Sequence, residues 1–185
     1  DTTQSGAGAA YVFTRSGTTW SQQAKLVASD PTADKWFGRA VSISNDAAYA
    51  ICGAYRDNSN AGAAYVFIRS GTSWSQQAKL VASDAAGNAQ FGWQVDLNSA
   101  GTIAAVSSNK RTGAGSLNNA GAVYVFSRDG TSWTEDEIVV SSTIAAADIF
   151  GESVAITGDG DKVIVGAYGD DDGGSLSGQV FIYEV

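Results

Sequence analysis

Three consecutive carboxylates, Asp170, Asp171 and Asp172 in "GDDDGGSLSG", repel one another, so they form either a solvated loop tip or a site partly neutralised by a cation. Paired carboxylates can in principle run a glycosidase, but most Asp and Glu here fall at turn sequences. The rest of a catalytic kit is missing. There is no His, which removes Ser-His-Asp and Cys-His arrangements, imidazole metal sites and the commonest general base. Cys52 is the one cysteine, too few for a structural zinc, and it lies in the apolar run "YAICGA", where a thiol serves as a small core residue. No phosphate-cradling GxxxxGK[ST] stretch occurs. An independent enzyme is not expected.

Two other stretches hold the same place in an internal repeat as the acidic loop, and they are rich in amides: "RDNSNAG" with Asp57, Asn58 and Asn60, and "NKRTGAGSLNNAG" with Asn109, Lys110, Asn118 and Asn119. Loop variation on a repeated scaffold is where binding specificity resides. These seven residues and the three aspartates are therefore expected to form or flank a recognition face for a protein or glycan partner.

The scaffold shows in the repeat itself. Residues 8–30 recur at 62–84 with two positions changed, and a looser copy begins at Gly121. "FG" stands at 37, 91 and 150, and Trp20, Trp74 and Trp133 each follow a turn, giving spacings of 54 and 59. Helical solenoid units run about 33 to 47 residues, so a longer, drifting period suits a blade of four strands. "RAVSIS", "WQVDLN" and "ESVAIT" alternate apolar and polar residues, the mark of a strand with one buried face. "YAICGA", "TIAAVSS" and "KVIVGA" are apolar without alternation and are expected to be covered on both faces. The "AAYVF" runs form the third strand, and the Trp through "QQAKLVAS" the fourth. Gly17, Gly71 and Gly130 close the hairpin between them. Such sheets bury both faces only by leaning on one another, as propeller blades do. Phe37, Phe91, Phe150 and the Trp series are expected at the joints, whereas Trp36 and Trp93 break the repeat and are the better candidates for exposure.

The residues 1–30 make a partial blade, 31–84 and 85–143 whole blades, and 144–185 another partial one. Thirteen strands result. The opening "WSQQAKLVAS" could serve as fourth strand to the last blade, but "AAYVFTR" and "GQVFIYE" would then compete for one slot. Either the 185 residues are a piece of a longer propeller, or the surplus strand pairs with another chain in an oligomer or filament.

Net charge is −8 and the eleven Lys and Arg residues are scattered, which disfavours nucleic acid and anionic membrane surfaces as partners. No apolar run approaches the roughly 18 to 20 residues that span a bilayer, so membrane insertion is not expected. The first residue is Asp1, with no cationic, apolar leader after it, as in a processed chain or an excerpt.

From about Gly8 to Val185, the "FGxxVxIxxD…GA…GxxYVFxRSGTxWxQQAKLxASD" pattern resembles the FG-GAP repeat, in particular its bacterial and algal variety, and is similar to the repeats of the seven-bladed integrin α propeller. The resemblance implies an all-β, β-propeller-type array of four-stranded antiparallel blades, about three blade equivalents here. It implies a secreted, extracellular or lumenal adhesion or binding protein, and often calcium in the turn between the first two strands. That metal loop reads roughly Asp-x-Asp-x-Asp-Gly, and "SNDAAY" and "NSAGTI" depart from it. Only "TGDGDKV" keeps Asp159 and Asp161 as candidate calcium ligands, with Val163 in the third ligand position; the alternative is a plain DG hairpin. The leading expectation is a non-enzymatic binding module. The second is a structural subunit of a filament or larger complex, assembled by edge strands or blade contacts.

Overall fold

The computed structural model describes residues 5–113, 117–175 and 177–185. The described strands are β1 (Ala10–Ser16), β2 (Thr19–Leu26), β3 (Val41–Ile43), β4 (Tyr49–Ala54), β5 (Ala63–Ser70), β6 (Ser73–Leu80), β7 (Phe91–Leu97), β8 (Ile103–Ser108), β9 (Ala122–Asp129), β10 (Ser132–Val139), β11 (Ser153–Ile156), β12 (Lys162–Ala167) and β13 (Gln179–Glu184). They form an opening ribbon β1-β2, two full blades in the orders β3-β4-β5-β6 and β7-β8-β9-β10, and a last sheet β11-β12-β13. Among the described residues all strand pairings within the sheets are antiparallel, and the propeller-type array is open. Among the described residues no helix is long and apolar enough to cross a membrane.

Each interval between neighbouring sheets is a core. Leu26, Ala28, Phe37, Cys52, Tyr65 and Phe67 fill the first, Ile51, Val66, Phe91, Val95, Leu97, Val106 and Tyr124 the second, and Val123, Val125, Phe150, Val163 and Val165 the third. β4 and β8 are buried on both faces after their first residue, as their unbroken apolar runs predict. β12 differs: Val163, Val165 and Ala167 are buried while Ile164 is exposed, because no described sheet lies over its other face.

Phe37, Phe91 and Phe150 are fully buried at the joints. There each bridges in parallel to a glycine of the preceding sheet, Gly8, Gly62 and Gly121. Gly62 has φ 92°, and a Cβ on it would stand 1.9 Å from the Phe91 carbonyl oxygen, so only glycine lets the backbones close in.

Bulges complete the joints. Gln23 and Gln77 are skipped in the registers of β2 on β1 and β6 on β5, and each accepts a bond from the indole of the next sheet. The Trp74 Nε1 donates to Gln23 Oε1 at 2.9 Å and the Trp133 Nε1 to Gln77 Oε1 at 3.0 Å. Trp20 holds the same position with no described sheet before it and is exposed. The expected joint role thus holds for two of the three tryptophans. Along the first strands of the sheets, Asp96 of β7 accepts from Ser42 Oγ of β3 at 2.7 Å and from the Ile156 amide of β11 at 2.9 Å, tying three sheets through one carboxylate.

Candidate partner-binding face

In each blade the connection from second to third strand and the crossover into the next blade emerge at one end of the sheets, and the turn between first and second strands at the other. Asp57, Asn58, Asn60, Asn109, Lys110, Asn118, Asn119 and Asp170 to Asp172 therefore share one end, opposite Asp159 and Asp161. Residues 114–116 of the longest loop and Leu176 lie outside the described residues.

Backbone bonds stitch this end together, with the Gln90 amide donating to Asn60 O at 2.9 Å and the Ala147 amide to Asn118 O at 2.9 Å. Asn58, Lys110, Asn118, Asn119, Asp171 and Asp172 are exposed, and Asn60 is half-buried, donating to Asn88 Oδ1. Asp57, Asn109 and Asp170 instead point inward.

Each buried member has a different setting. Asp57 lies against Lys35 at 3.0 Å and Lys79 at 2.6 Å; Asp30 of the preceding ribbon meets the same two ammonium groups at 2.9 and 2.8 Å. The Tyr65 hydroxyl accepts from Lys35 and donates to Asp30. Burial alone would raise both carboxyls, but the bonds from Lys79 and Lys35 win and hold Asp30 and Asp57 below the usual range. Burial, reinforced by Asp30, pushes the Tyr65 phenol up. In the next blade Arg111 takes the position of Asp57 and bonds Asp84 at 2.7 Å, which also accepts from the Tyr124 hydroxyl. Asn109 donates to Glu152 Oε2 at 2.8 Å, and its Oδ1 has no partner among the described residues. Asp170 is 0% exposed; its Oδ1 accepts from the Asp172 amide, and its Oδ2 is without a partner among the described residues.

Beside these loops runs a ladder of rings and guanidinium groups that the sequence reading did not assemble. Arg56 covers Trp36 at 5.1 Å, Trp36 meets Tyr55 edge-on at 5.9 Å, Tyr55 meets Trp93 at 4.9 Å, and Arg39 covers Trp93 at 4.4 Å. Trp36 is 45% exposed, as expected of it. Trp93 is a correction: Tyr55 and Arg39 leave it half-buried, and its Nε1 has no partner among the described residues. The departures of Trp36 and Trp93 from the repeat were the available signal; Arg39, Tyr55 and Arg56 gave none.

At the opposite end, Asp159 accepts from the Thr157 hydroxyl and from the Asp161 amide at 3.1 Å, so its carboxylate closes a turn. Asp46 does the same in the first blade, with Ser44 at 2.7 Å and the Ala48 amide at 2.9 Å. Val163 is buried, and no group of three His, Cys, Asp or Glu able to hold a metal is gathered among the described residues. Calcium takes six to eight oxygens. Asp159 and Asp161 do not fit it.

The FG-GAP repeat family model matches residues 20–67, 74–126 and 133–183. No curated protein matches the sequence. Among solved structures, the hydrazine synthase of Kuenenia stuttgartiensis is similar at a TM-score of 0.52 and 13% identity, over 89% of this chain and 37% of that one. TolB from Acinetobacter baumannii is similar at 0.49 and 12%, over 90% and 33%, and a candidate 6-phosphogluconolactonase from Bacteroides uniformis ATCC 8492 at 0.49 and 13%, over 79% and 36%. The chain thus spans about a third of the length of each, and at 13% identity the likeness to the hydrazine synthase concerns fold alone.

Proposed function

The chain belongs to the FG-GAP repeat family, and on that premise we propose that it is a non-enzymatic extracellular or lumenal binding module. It holds a protein or glycan partner at the end of the blades that carries the long loops. The Arg56–Trp36–Tyr55–Trp93–Arg39 ladder carries the reading. Trp, Tyr and Arg supply large, rigid contact area with a polar handle, the residue types in which binding energy concentrates. Asn58, Lys110, Asn118, Asn119, Asp171 and Asp172 are exposed at the same end and supply adaptable polar contacts, while Asp57, Asn109 and Asp170 are buried beneath the loops.

The test is retention of extracellular proteins and of an immobilised glycan panel by the wild-type chain and by Trp36→Ala. Retention lost in the variant while its melting temperature is kept supports the reading; equal retention by both, or none by either, overturns it.

One observation favours assembly as a second role. Val180 and Ile182 are 66% and 68% exposed on the outer face of the last sheet, apolar surface of the kind that marks an interaction site.

A further inference from the structure

The two open ends of the array are complementary, residue by residue. On the last sheet, Ile164, Val180 and Ile182 hold the positions that Ile51, Ala64 and Val66 hold in the first full blade, where they are sealed by the next blade. At the other end, Val41 and Ile43 hold the positions of Val95 and Leu97, which pack on a preceding blade, yet both are exposed. Beside them a groove of about 500 Å³, lined by Val12, Leu26, Val41, Ile43, Ala50 and Cys52, follows the unpaired edge of β1.

Charge repeats the pattern. Asp170 stands where Asp57 stands, and Asp57 is neutralised by Lys35 and by Lys79 of the fourth strand. In the last sheet the place of Lys35 is taken by Asp148, also buried, so the missing cation has to come from a fourth strand. Lys25 of β2 holds the position of Lys79, is exposed, and forms no salt bridge among the described residues.

Resting on the assembly reading above, we propose that a second copy of this chain fills both ends: β13 of one copy replaces β1 beside β2 of the other, which sets Lys25 on Asp170. β2 keeps its bonds to its own next blade, Gln23 to Trp74, the Ser29 amide to Gln76, and Asp30 to Lys79, because none of them uses the edge given to β1. Val180 and Ile182 take over from Ala10 and Val12, and β12 with Ile164 enters the groove over Val41 and Ile43. β1 gives up its pairing with β2, and the segment before it the bonds that Ser5, Gly6 and Ala7 accept from the Asp34, Trp36 and Phe37 amides, while Tyr11 and Phe13 already face solvent.

The experiment is sedimentation of the 185-residue chain across a concentration series, with Lys25→Glu beside it and a peptide of residues 18–30 as competitor. The expected mass is twice 19.0 kDa. Lys25→Glu should weaken the dimer by roughly thirtyfold or more, as for a buried charge left unpaired, and the wild-type peptide should dissociate it. A multimer indifferent to Lys25→Glu and to the peptide overturns this interface and leaves the assembly reading standing. A monomer at every concentration overturns both. Lys25 is exposed in the single chain, so loss of folding does not cloud the variant.

Discussion

At the level of single residues, the cluster of Lys35, Asp57, Asp30, Lys79 and Tyr65 sets much of the behaviour of the loop end. Lys35 is buried, and removing one member of a buried pair leaves a charge without its partner. Lys35→Met is expected to cost roughly 3 kcal/mol in urea unfolding, even though Lys79 still reaches Asp57. The cluster also ties stability to pH. Asp30 and Asp57 are depressed in the folded chain below their usual value of 3.8, so the unfolded chain binds protons first as the pH falls. Their contribution is complete above about pH 5 and is lost as the pH falls through the folded values. The urea midpoint of Asp57→Asn should therefore lie well below that of the wild type at neutral pH and approach it as the pH falls through the depressed folded value of Asp57. Cys52 is a simpler case. Burial alone pushes its thiol up to about 12, so a thiol reagent should label it only after unfolding.

At the level of strands and turns, the joints make the sharper predictions. Trp74→Phe and Trp133→Phe keep the packing and lose the indole bond to a bulged glutamine, so each should cost about 1 kcal/mol. Trp20→Phe, at the same position of the repeat, should fall within about 0.5 kcal/mol of wild type because Trp20 is exposed. The Asp159 turn is closed by Thr157 and the Asp161 amide, so a chelator should leave the melting temperature where it is; a drop would restore calcium at Asp159 and Asp161. These contrasts separate what was legible in the sequence from what was not. Strands, hairpins and buried Phe37, Phe91 and Phe150 were legible, because alternation and the repeat are local signals. The burial of Asp57, Asn109 and Asp170 was not. For Asp57 and Asp170 it depends on the preceding crossover, where Lys35 and Asp148 fill one equivalent position with opposite charges, and for Asn109 on Glu152 of the following one. The ladder was hidden for the same reason: its rings come from two blades, and nothing in the spacing of Tyr55 and Trp93 announces contact.

For the molecule as a whole, stability follows from each sheet touching only its neighbours, with Asp96 as a tie that spans three. In a quasi-one-dimensional array the inner units gain from two interfaces and the outer ones from a single interface. Amide exchange should accordingly be slowest in β4, β5, β8 and β9, whose residues are mostly buried, and faster in β1, β12 and β13, where exposed and buried residues alternate or exposure dominates. Concentration then distinguishes an isolated array from one that closes on a second copy. Closure by strand exchange pairs the free edge of β13 and strips β1 of its only described partner, so raising the concentration should slow exchange in β13 and speed it in β1 together. Protection of β13 without release of β1 would mean that something other than β2 of another copy covers that edge. Profiles that do not change with concentration would mean that nothing in the sample does.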